Sequence, residues 1–136
     1  MGLAQKRIIQ DYQQNEFPKW KEQFNAVAGF DVPMDIKWDT MQDEGYSDKA
    51  MYFECYQQVY FRPLMNVMKH LCQDDMGKEA VKASLKKIVI DGTDGSGPHN
   101  SSFDNGVFLI KHKFHTNTDY ENDRVKGWTK LLEDKL

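Results

Sequence analysis

Phe30-Asp31-Val32-Pro33-Met34-Asp35-Ile36-Lys37-Trp38 alternates apolar and polar side chains without a break. Successive side chains of a strand point to opposite faces, so this alternation marks a strand buried on one face. It predicts Val32, Met34, Ile36 and Trp38 inside, with Asp35 and Lys37 outside. Pro33 has no N–H to give to a ladder, which places the strand at a sheet edge or at a bulge. Asp31, Asp35, Lys37 and Asp39 on the outer face discourage edge-to-edge association.

The segments on either side of this strand read as helices. Over residues 3–28, Ile8, Ile9, Tyr12, Trp20, Phe24 and Val27 recur at three- and four-residue steps. Pro18 predicts a break or kink near residues 15–17, and Gly29 stands where a left-handed C-terminal residue belongs. After a polar turn at 42–47, fifteen of the 25 residues from 48 to 72 are apolar. Their polar positions rotate by about 80° across Pro63, which predicts two helical segments, 48–61 and 63–73, joined at a kink. Asp74 and Asp75 can cap a short helix over 76–86, weakened by Gly77. Lys87-Ile-Val-Ile-Asp91 reads as a buried strand, and Asp104-Asn105-Gly106 between Phe103 and Val107 reads as a hairpin turn. A strand over 107–115 follows, then Thr118-Asp-Tyr-Glu121 as a capping box for a last helix. A further strand near 99–103 completes the order α-β-α-α-α-β-β-β-α. Segregated helices with three or four strands point to an α+β domain over 1–136, its sheet mostly antiparallel.

Composition bounds the function. With 136 residues, 40% apolar, and three Trp, six Tyr and eight Phe, the chain can build a core and is not a disordered tract. The net charge of −3 argues against nucleic acid as a partner. No apolar run approaches the ~18 residues of a membrane span, and the first residues lack the apolar core of a signal peptide. Cys55 and Cys72 fall in helical, apolar surroundings and read as buried reduced thiols, so a cytoplasmic location is expected. Charge is polarised: residues 29–76 carry nine acidic and four basic side chains, a balance of −5, against +1 on each flank.

Residues 91–99 form a Gly-rich polar connector in which three glycines and few apolar anchors imply mobility. Asp91, Asp94, Ser96 and Asp104 could offer oxygen ligands, but the spacing of a calcium loop and its closing Glu are missing. His99, His112 and His115 invite a transition-metal reading. His112 and His115 are three apart on a strand and so face opposite ways, and neither a metal nor a cofactor is expected. No Gly-x-Ser-x-Gly elbow is present. Tyr52, Tyr56 and Tyr60 form one helical ladder, read as a core stripe whose hydroxyls reach its rim. Lys78, Lys82, Lys86 and Lys87 read as a solvated face.

Two functions fit. The first is a non-enzymatic binding or protein-interaction domain. Its partner would be a protein with a basic surface, meeting Asp39, Asp43 and Glu44, with Met41 and Tyr46 as apolar anchors. Phe61, placed on the otherwise polar side of its helix, and Arg62 at the kink form a second contact point. The alternative is a small enzyme or ligand-binding domain using the 91–99 loop with His112 or His115. A converging pocket favours the alternative; a flat surface patch favours the first.

Overall fold

Several helix ends have a local cause in the sequence. The computed structural model describes residues 1–93 and 100–136. Helix α1 (Leu3–Asp11) runs through a π turn at Tyr12–Glu16 into α2 (Phe17–Ala28), which ends on Gly29 at φ 81°. Asp48 caps α3 (Lys49–Tyr56) by accepting from Ala50 N; a second π turn, Gln57–Phe61, joins it to α4 (Arg62–Leu71). Asp74 caps α5 (Asp75–Ser84) by accepting from Gly77 N at 2.8 Å. Strands β1 (Met34–Ile36), β2 (Lys87–Asp91), β3 (Ser101–Asp104) and β4 (Val107–Lys111) precede α6 (Glu121–Glu133).

Both π turns lie just ahead of a proline. Pro18 and Pro63 have no N–H to return to the preceding turn. Phe17 N instead donates to Tyr12 O, and Arg62 N to Gln57 O, each five residues back. The helix widens rather than breaks. The additional residue turns the chain by about 100° relative to an unbroken α-helix. This accounts for the rotated polar stripe across Pro63, and at both expected irregularities the helix continues through a π turn instead of breaking. The expectation for Phe61 is corrected: the rotation carries it inside, at 0% exposure, where it stacks on Tyr12 and Trp20 at 5.7 and 5.9 Å.

The sheet order is β1-β2-β4-β3. Among the described strands β1 and β2 are parallel, β2 and β4 are parallel, and β3 and β4 are antiparallel. The expected mostly antiparallel sheet is therefore corrected to a mixed, mostly parallel one within an α+β fold. The three helices between β1 and β2 form a crossover that returns the chain to the same end of the sheet. The β3–β4 hairpin turns on Asn105 (φ 53°) and Gly106 (φ 80°), the two left-handed residues that such a turn requires. A Cβ at Gly106 would also stand 2.8 Å from Ser84 O.

β1 is shorter than the alternation over 30–38 implies. Pro33 precedes it, and a 3₁₀ turn at Trp38–Thr40 follows. Val32 is nonetheless fully buried, its N–H held by Asn25 Oδ1 and its carbonyl by Lys21 Nζ. Asp35 is half-exposed and carries an ion pair to Lys37 at 3.0 Å. The expected capping box is also corrected. Helix α6 starts at Glu121 with Tyr120 at its N-cap and no side-chain cap bond.

One core joins all of this. Ile8 of α1, Phe24 of α2, Tyr52 of α3, Leu64 of α4, Val81 of α5 and Trp128 of α6 belong to a single cluster. The same cluster contains Ile88 and Ile90 of β2, Phe108 and Ile110 of β4, and Phe103 of β3. Every described helix therefore lies on the sheet face that these residues share. No described helix is long and apolar enough to cross a membrane.

Candidate functional site

The carboxyl ends of β1, β2 and β4 point the same way, and the tyrosine ladder fastens the loops that leave them. Tyr56 Oη donates to Met41 O, and Tyr52 Oη to Asp43 O and Tyr46 O at 2.8 and 2.7 Å. Tyr60 Oη donates to His112 O. All three rings are fully buried, and burial holds all three hydroxyls above the ordinary phenol pKa. Gly92 N donates to Thr40 Oγ1 at 2.9 Å, and a Cβ at Gly92 would stand 2.7 Å from Thr40 O. Glycine is what lets these two loops touch.

The candidate residues separate into two groups at this end. His112 is buried. Its Nδ1 lies 2.7 Å from Lys113 O, and its Nε2 lies 3.4 Å from Arg124 Nη2. Asp91 O accepts from His112 N, while Asp91 Oδ1 accepts from Thr93 N. His115 instead reaches Asp43 Oδ2 at 2.9 Å, stacks on Phe114 and meets Tyr46 edge-on. The Gly45 N–H and, after it, His115 hold the Asp43 carboxyl below the usual carboxylate range. Asp94 and His99, and with them most of the 92–99 connector expected to be mobile, lie outside the described residues. Among the described residues, no cluster of three or more His, Cys, Asp or Glu could hold a metal. Cys55 and Cys72 are buried and unbridged, and burial pushes both thiols up.

Sequence reasoning missed Arg124. It is fully buried beside His112, and burial pulls its guanidinium pKa down. Its position in α6, four residues before Trp128 on the same stripe, was the available signal.

Several acids of the expected docking patch have partners within the chain. Asp31 pairs with Lys21, Asp35 with Lys37, Asp43 with His115, and Glu44 with the Met1 amino group. Asp39 is exposed and borders a shallow groove with Trp38, Leu3, Lys6 and Arg7. Met41 is no surface anchor, because it is fully buried under Tyr56; Tyr46 is 49% exposed. Arg62 is not available as a bare cation, since it grips Glu121 with Nε and Nη2 at 2.5 and 3.0 Å.

The second face of the sheet carries an unforeseen surface. Val89 and Leu109 stand opposite each other across β2 and β4, with Asp35 and Ser102 extending the row. Val107 lies two residues before Leu109 on the same face. These three apolar side chains are half-buried, yet they belong neither to the core nor to the hydrophobics packed against it. Lys87 and Asp104 flank Val107, and Asp91 and Lys111 close the opposite side. Mostly parallel sheets normally carry helices on both faces; here all described helices occupy one. Comparison with protein-family models, curated proteins and solved structures finds no match to this chain.

Proposed function

We propose that the protein is a non-enzymatic binding domain of the cytoplasm that receives a protein partner on the open face of its sheet. The observation that carries this reading is the apolar strip Val89–Leu109–Val107 on a face that no described helix covers. A contact surface needs an apolar centre for affinity and a polar rim for selectivity. Here the centre is the valine–leucine strip, and the rim is Asp35, Lys87, Asp91, Asp104 and Lys111. The rim mixes both signs, so the partner's complementary surface is mixed as well, rather than uniformly basic. The two unbridged cysteines favour a reducing compartment.

Affinity capture from the native host's lysate, run in parallel with wild type, Leu109→Lys and a control Lys82→Glu on the exposed face of α5, tests the reading. A protein retained by wild type and the control but lost with Leu109→Lys supports it. Identical captures by all three baits overturn it.

A further inference from the structure

We propose that Arg124 anchors a binding site for a small oxyanion, a carboxylate or a phosphate, on the helix side of the sheet where the chain turns from β4 into α6. Arg124 is 0% exposed. Its Nη2 donates to Asn117 O at 2.6 Å and Thr116 O at 3.4 Å, and faces His112 Nε2. Its Nε and Nη1 are buried with no hydrogen-bond partner. Three of the five N–H donors of a guanidinium reside on those two nitrogens.

An arginine stays protonated in a protein, so this is a buried charge. Buried charges are paired, because an unpaired one costs several kcal/mol. Yet no described carboxylate forms an ion pair with Arg124, and Glu121, three residues away on the same helix, is held by Arg62. What Arg124 lacks is acceptors and negative charge. An oxyanion supplies both at once, and charge-assisted bonds to it are the strong kind. The site lies across the sheet from the open face, so it stands or falls independently of the protein partner.

The chain has only three arginines, Arg7, Arg62 and Arg124, so their Nε–H resonances are separable by ¹⁵N NMR. The test titrates the intact protein with sodium phosphate and, separately, sodium acetate, with sodium chloride at matched ionic strength as the reference. The expected result is a saturable displacement of the Arg124 Nε–H signal by one or both oxyanions, with Arg7 and Arg62 unmoved. The arm that saturates at lower concentration names the oxyanion. Melting of the wild type should rise by about 5 °C near saturation, whereas Arg124→Met, whatever its own stability, should show no anion-dependent rise. An Arg124 signal indifferent to both oxyanions overturns the proposal. So does a displacement shared equally by Arg7, which marks non-specific screening. A melting temperature that drops for Asp94→Asn as far as for Arg124→Met, without anion response in the wild type, overturns it too, by making the counter-charge the chain's own.

Discussion

Tyr60 illustrates how much a single hydroxyl can hold in this protein. It reaches from the middle of the helical layer to the carbonyl of His112, at the point where β4 leaves the sheet. Tyr60→Phe keeps the ring and removes that buried hydrogen bond. A typical buried hydrogen bond contributes about 0.5–1.5 kcal/mol net, and urea denaturation should read a loss in that range. Asp43 gives the pH counterpart. Its carboxyl pKa is depressed in the fold, by Gly45 N–H first and by His115 second. A depressed carboxylate contributes stability that is present above its unfolded value and lost as the pH falls through the folded one. Acid titration of the wild type should therefore show a stability loss below about pH 4 that Asp43→Asn makes shallower.

At the scale of elements, propensity and packing can oppose each other, and Gly77 shows which prevails. Alanine in place of a helical glycine ordinarily gains about 1 kcal/mol. A Cβ at Gly77, however, would stand 1.8 Å from Leu71 O, a backbone atom that cannot swing aside. Gly77→Ala should accordingly lower the melting temperature rather than raise it. The same opposition explains what could be read from the chain beforehand. Lys87–Asp91 was legible as a strand because a short run of β-branched residues has few other uses, and Asn105-Gly106 was legible because few residues tolerate positive φ. Strand direction was not legible. One-sided alternation follows from which face is covered, and β1 alternates here because no described helix covers the second face of this mostly parallel sheet. Phe61 was misplaced because a wheel drawn at 100° per residue fails across a π turn. Met41 was misplaced because loop residues have no period to betray burial. Arg124 shares its helical stripe with Trp128, but an arginine among the charged residues of a helix reads as solvated, and that reading outweighs the stripe until the fold shows it facing inward.

For the molecule as a whole, the asymmetry between the two sheet faces is the dominant feature, and it separates stability from recognition. Leu109 contributes nothing to the core, so Leu109→Lys should shift the melting temperature by no more than about 2 °C, whereas Phe108→Ala, one residue away on the covered face, should cost about 3–5 kcal/mol. Thermal denaturation of the pair checks that contrast. The sheet's strand order also carries a kinetic consequence. Met34 and Ile88 pair across 54 positions of sequence, while β3 and β4 meet through the two-residue turn at Asn105 and Gly106. Closing a longer loop costs more entropy before any contact rewards it, so the hairpin is expected to zip early and β1 to dock last. Removing methyl groups from β1 then acts after the rate-limiting barrier. In a chevron experiment Ile36→Ala should steepen the loss of the native state by accelerating unfolding while leaving refolding nearly unchanged, and Ile110→Ala in β4 should slow refolding itself. On this expectation, the edge strand with which the sequence announces its fold is the last piece the chain sets in place and the first it lets go.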